Sequence, residues 1–147
     1  MTLVLAHIHP RPGARLPFEE EVAHYLKLAS RWLPAQSRGF ATEPAFQAYL
    51  EGMRRYPVVA LCEQRGKMLT SEELAAWIGR HRDAGAGSMI LAIGPADGWS
   101  ATAIKSADLT LAFGSMTLPH ALARLVLAEQ VYRAASILGG HPYHLGH

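Results

Sequence analysis

The 147-residue chain predicts a single α/β domain, 1–147, built on a mostly parallel sheet. Three observations carry that expectation. Short apolar runs of strand length alternate with stretches whose apolar residues recur every three or four positions, with no repeat or linker between them. Half of the residues are hydrophobic and 18% are charged, enough to bury a core without disulfides or metals. The last helical stretch, ending at Leu138, is apolar on almost every side, which predicts burial against several neighbours.

The elements follow in order. Leu3–Ile8 is an apolar run that reads as a first strand and not as a signal peptide, because no basic segment or cleavage site accompanies it. Phe18–Leu33 is a helix: Val22, Leu26, Ala29 and Leu33 share a face, Glu19–Glu21 suit its positive end, and Pro34 stops it. Ala35–Thr42 reads only as a short or eroded strand. Pro44–Met53 is a helix with Thr42 as N-cap. Val58–Cys62 is a buried strand. Thr70 and Glu73 form a capping box that opens a helix to about Asp83, which Gly85–Gly87 ends. Ser88–Ile93 is a second buried strand, closed by the loop Gly94–Gly98. A short helix through Ile104 and a strand Leu109–Phe113 lead to Thr117, expected as the N-cap of the final helix, with Pro119 near its first position.

Composition excludes several classes. No segment approaches the ~20 apolar residues of a membrane span. The single cysteine, Cys62, allows no intrachain disulfide; it reads as a buried structural residue and fits a reducing, cytoplasmic setting. The net charge of +2 is compatible with nucleic acid without pointing to it. The Gly94–Gly98 loop is neither a dinucleotide fingerprint nor a phosphate-binding Walker loop. No Ser/His/Asp set and no isolated carboxylate pair is present, and two histidines in His141-Pro142-Tyr143-His144 do not complete a zinc site.

What remains is a set of loops after Leu61, Ile93 and Phe113, where a parallel sheet binds ligands beyond its strand ends. Each has a plainer reading as a turn, and Thr117 one as a simple cap. Glu129 and Arg133 are four apart and can pair. The tail offers an imidazole, a phenol and a second imidazole, groups suited to stacking on a base and bonding phosphate. From the residues alone, a small-molecule-binding α/β module stays open beside an RNA enzyme.

Thr117-Leu118-Pro119-His120, the leucine-rich helix with Ala128-Glu129-Gln130-Val131-Tyr132-Arg133-Ala134, and His141-Pro142-Tyr143-His144 together closely resemble the C-terminus of the ribosomal large-subunit RNA methyltransferase H family, of the SPOUT class. Gly66-Lys67, Thr70–Ala75 and the Ile93–Gly98 loop resemble the same family, and the resemblance weakens before Tyr56. It implies a SPOUT-type sheet whose C-terminal segment is threaded as a trefoil knot, a homodimer, and S-adenosylmethionine as cofactor. It implies transfer of a methyl group to N3 of a pseudouridine in helix 69 of 23S ribosomal RNA. Carried onto this chain, the cofactor contacts fall on Leu61, Gly94, Phe113, Gly114, Ser115, Met116, Thr117 and Leu118. Substrate handling falls to His144, Tyr143 and Arg133, with no metal and no membrane partner.

The chain departs from the family pattern in four places. Leu145 stands where a basic residue usually follows His144, the second strand is shortened, and Gly94-Pro95-Ala96-Asp97-Gly98 replaces a Gly-Gly-Pro-Glu-Gly type loop. Near Leu61, Cys62 replaces a common Asp, and Gln64 or a neighbour is an extra residue. These departures keep open a non-catalytic or retargeted RNA-binding or ribosome-associated homologue.

Overall fold

A computed structural model describes residues 1–146. Five parallel strands form one sheet in the order β2-β1-β4-β3-β5. They are β1 (Thr2–Ile8), β2 (Ala35–Phe40), β3 (Val58–Met68), β4 (Ser88–Ile93) and β5 (Leu109–Ala112). The helices are α1 (Glu19–Ala29), α2 (Glu43–Glu51), α3 (Ser71–Asp83), α4 (Ala101–Ser106), α5 (His120–Leu138) and α6 (Tyr143–Gly146).

The two-residue period of the strands builds both layers. Leu3, Leu5, Ala60, Met89 and Leu91 face one side, where α1, α3 and α5 pack with Val22, Leu26, Ile78, Leu127 and Val131. Val4, Ala6, Val59, Leu61, Ile90 and Ala92 face the other, beneath Phe46, Leu50 and Trp99. Strands covered on both faces read as continuous apolar runs, which is why β1 and β4 stand out in the sequence.

Several expected elements take corrected form. The first helix ends at Ala29, ahead of Leu33 and Pro34, because Ser30 turns its hydroxyl back onto the Leu26 carbonyl and accepts the Ala35 N–H. Ala35–Phe40 is a true strand, but at the sheet edge with Gln36, Ser37 and Arg38 exposed, so it lacks the apolar signature of a central strand. Thr42 caps α2 through Ala45, and Thr70 and Glu73 make both bonds of the capping box.

The third strand is the least regular. Cys62 and Lys67 both lie opposite Leu111 of β5, so residues 63–66 form a bulge within the strand, an excursion from its register with β5. At its end Gly66 lies flat against Thr110; a Cβ there would sit 2.7 Å from the Thr110 carbonyl carbon.

The long helix α5 is one-sided. Leu127, Ala128, Val131, Ala134 and Ala135 are buried against the sheet and helices α1 and α3, whereas Leu122, Leu125 and Val126 stay half-exposed. No helix among the described residues is long and apolar enough to cross a membrane.

Candidate active site

The loops after β3, β4 and β5 converge at the carboxyl edge of the sheet on one cleft of about 400 Å³. Its walls are Cys62–Gln64, Ile93–Trp99, Phe113, Gly114 and Met116–Leu118, with His120 and Ala123 of α5 closing the side. Of the expected cofactor residues, Gly94, Phe113, Gly114, Met116, Thr117 and Leu118 line this cleft. Leu61 lies buried beneath it in the core, and Ser115 is exposed on the same loop.

The end of β3 ties the other two walls together. Trp99 donates its indole N–H to the Cys62 carbonyl at 3.0 Å, and Gln64 donates its amide to the Thr117 hydroxyl at 2.8 Å. Gly94 is required where it stands, since a Cβ would lie 2.7 Å from the Trp99 ring. Gly114 sits at φ 142, open to glycine and strained for other residues, and this sends the chain from β5 into the loop.

Thr117 does not cap α5. The N-cap is Pro119, which has no side-chain cap bond, and the Thr117 hydroxyl is taken by Gln64 instead. Burial pushes the Cys62 thiol up to about 12, so it is a neutral part of the wall and not a nucleophile at neutral pH.

Beside the cleft, three histidines and an arginine gather where β1 meets α5. His7 and Arg124 are 3% and 2% exposed, and the His120 ring lies 6.3 Å from that of His7 and 6.0 Å from that of His9. Arg124 donates to Glu19 at 2.8 Å and to Ser37 at 2.7 Å. Among the described residues, both His7 ring nitrogens, His120 Nε2 and Arg124 Nε are buried with no hydrogen-bond partner. Burial first, then Arg124 and His120, pushes His7 down to about 4, and burial also lowers His120. His7 is therefore neutral at neutral pH.

The expected substrate-handling residues form a separate network around Glu129. Arg133 donates to Glu129 Oε1 at 2.7 and 3.0 Å, and the Tyr143 hydroxyl donates to the same oxygen at 3.0 Å. Glu129 Oε2 accepts from Gln130, whose carbonyl accepts from Ser71. Arg133 contacts His144 Nδ1 at 3.0 Å, and His144 Nε2 lies 2.7 Å from Glu72. A guanidinium only donates, so Nδ1 is the accepting nitrogen and Nε2 carries the proton toward Glu72. That bond holds the Glu72 carboxyl below its usual range. Burial, reinforced by Glu129, pushes the Tyr143 phenol up to about 12.

The structure thus brings Arg133, Tyr143 and His144 together, but away from the cleft. His120, at the cleft, and Arg133 are thirteen positions apart on α5, about 20 Å along a helix. Among the described residues no group of three His, Cys, Asp or Glu side chains suits a metal ion.

The family described as "Predicted SPOUT methyltransferase" matches residues 17–144. The chain is 48% identical over 124 residues to the ribosomal RNA large subunit methyltransferase H of Koribacter versatilis, covering 84% of this chain and 85% of that protein. This chain belongs to the large subunit methyltransferase H family of SPOUT methyltransferases. The relative of the same name from Allorhizobium ampelinum is 49% identical over 88 residues, 60% of this chain and 55% of that protein. That from Brucella ovis is 54% identical over 84 residues, 57% and 50% of the two. The five-stranded parallel sheet is consistent with the SPOUT fold.

Sequence reasoning missed four residues that this family member uses to build its two regions. Gln64 and Trp99 join the cleft walls, and nothing in local spacing reveals contacts 53 and 37 positions long. Glu129 was legible as the partner of Arg133 but not as the hub that also takes Tyr143. Glu72 reads as a first-turn acid of α3, and only the fold carries it to His144.

Proposed function

We propose that this protein is a cytoplasmic S-adenosylmethionine-dependent methyltransferase that modifies N3 of a pseudouridine in helix 69 of 23S ribosomal RNA, working as a homodimer. The observation that carries the reading is the convergence of Gly94 and Phe113–Leu118 on one cleft in a SPOUT-family chain. Its volume of about 400 Å³ lies in the usual range for cofactor sites, ~300–1,000 Å³. Glycine-bearing backbone suits an adenine edge, and Phe113, Leu118 and Trp99 offer apolar surface for the ring. Bound there, the cofactor supplies an electrophilic methyl group.

The chain's own part is to place the acceptor nitrogen in line and to let its proton leave. His144, Tyr143 and Arg133 are suited to placing the acceptor: a tautomer-fixed imidazole, a protonated phenol and a guanidinium held in a fixed orientation, none of which takes the leaving proton, which passes to water. The separation along α5 between His120 at the cleft and Arg133 in the network, about 20 Å, supports the homodimer, in which the tail of one protomer meets the cleft of the other. The half-exposed apolar face of α5, with Met116 83% exposed beside the cleft, supports the same assembly.

The trefoil knot belongs to this proposal, supported by membership of the SPOUT family. Stretching the chain by its ends tests it, since a knotted chain stops short of full contour length.

Calorimetry with S-adenosylmethionine and mapping of large-subunit RNA from cells with and without the gene test the function. We expect micromolar binding and one methylated pseudouridine that disappears with the gene. Absence of both removes the reading. RNA affinity should fall steeply with salt as phosphate contacts release counterions. A second reading, a retargeted or non-catalytic RNA-binding homologue, is favoured by one observation: Leu145 is 88% exposed directly after His144, where charge would meet RNA. Donor binding without any methyl transfer to the large-subunit RNA is its expected signature.

A further inference from the structure

The excursion at residues 63–66 does more than lengthen β3. It departs from the register with β5 after Cys62, is braced internally by the Arg65 N–H on Glu63 Oε2 at 2.6 Å, and is pinned at Gly66 against the backbone of β5. Both of its ends are therefore fixed, and Gln64 stands at its tip over the cleft. From there the amide reaches Thr117, 53 positions away, in the wall that runs from Gly114 to Leu118.

Beyond Phe113, which packs against the core, that wall is largely exposed. It begins at a glycine in a conformation strained for other residues, carries Ser115 and Met116 exposed, and ends before an N-cap that makes no side-chain bond. The opposite wall is held differently, by a buried indole bond from Trp99 to Cys62. Among the described residues, one wall of the cleft is thus fastened in the core, and the other, past Phe113, by one solvent-exposed side-chain bond. Exposed bonds of this kind contribute little net stability, so the fastening is reversible.

We propose that Gln64 is a positioning residue that latches the Phe113–Leu118 wall over the cleft and sets how fast the methyl donor leaves it. This rests on the reading of the cleft as the donor site. A latch of this strength is suited to a site that must release spent cofactor each turnover, since it slows escape without locking the ligand in. The residue acts through Thr117, not on the reacting atoms.

The test uses the full-length protein with Gln64→Ala and Gln64→Glu. A glutamate accepts from the Thr117 hydroxyl and restores the tie with reversed polarity, whereas alanine removes it. In the ligand-free protein, amide hydrogen exchange at Met116–Leu118 should quicken about 3- to 10-fold in Gln64→Ala and return toward the original rate in Gln64→Glu. With S-adenosylmethionine as probe, stopped-flow release should quicken by a similar factor in Gln64→Ala, with association unchanged. Unaltered exchange in Gln64→Ala overturns the latch, whatever the cleft binds. Loosened exchange with unaltered release overturns the role in donor retention. A parent protein that binds no S-adenosylmethionine overturns the donor-site reading itself, while the exchange measurement still decides the latch.

Discussion

The cleft at the strand ends and the network at the end of α5 solve opposite problems. The cleft is made mostly of backbone and apolar surface: three glycines, three loop ends and one indole bond to a carbonyl. The network is made of side chains, five of which converge through Glu129 and His144 with ionic and hydrogen bonds of 2.7–3.0 Å. A backbone-lined cleft recognises a ligand by shape and tolerates changes of side chain. A charged network specifies orientation and fails when one member is removed. The two regions should therefore separate cleanly under mutation.

The largest expected effect comes from breaking the network at its hub. Glu129→Ala leaves Arg133 and Tyr143 without their shared acceptor, and removing one member of a mostly buried ion pair costs about 3–5 kcal/mol. Denaturant unfolding should show that loss, methyl transfer should disappear, and calorimetric donor binding should persist. Loss of donor binding in a variant that remains folded would merge the two regions into one.

Acid should act on the cleft side next. His7 is held at about 4 in the fold against an ordinary value of 6.5. The folded state binds fewer protons than the unfolded one, so stability is full above about pH 6.5 and falls as pH drops toward 4. The depression corresponds to about 3 kcal/mol at its completion. The groups facing His7 are Arg124 and His120 of α5, Glu19 of α1 and His9. Thermal melts between pH 7 and 4 should show the decline, and His7→Gln should flatten it. An equally steep decline in His7→Gln would place the acid-sensitive group elsewhere.

Gly94→Ala tests how far the cleft depends on backbone shape. The new methyl group meets the buried Trp99 ring, and overpacking of this kind costs about 1–3 kcal/mol. Donor affinity should drop at least tenfold as the indole bond to Cys62 is lost. The network should be untouched, which the Tyr143 phenol reports through an unchanged absorbance titration.

The smallest effect belongs to Thr70→Ala. It removes the capping box of α3, worth about 1 kcal/mol, and loosens the helix start that carries Ser71 and Glu72 toward the network. Stability should fall by that amount with donor binding unchanged. A larger loss in methyl transfer than in stability would show that α3 positions His144.

Much of this was legible from local pattern. The buried strands β1 and β4, the cap at Thr42, the capping box at Thr70 and the extent of α5 depend on residues within a few positions of one another. The i, i+4 pair of Glu129 and Arg133 is local in the same way. What failed did so where distant groups competed. Ser30 ended α1 before the proline could, an edge position hid β2, and Gln64 took the hydroxyl of Thr117 that looked like a cap.

The sequence by itself determined the α/β class, the family and the three loops that turn out to line the cleft, because periodicity, capping and motif are short-range properties. Only the tertiary structure decided that those three loops share one cleft, that Gln64 and Trp99 join its walls, and that Arg133, Tyr143 and His144 gather around Glu129 apart from them. The physical reason is sheet order: placing β3 between β4 and β5 brings together strand ends that are about 30 and 50 positions apart, and no local rule encodes that pairing.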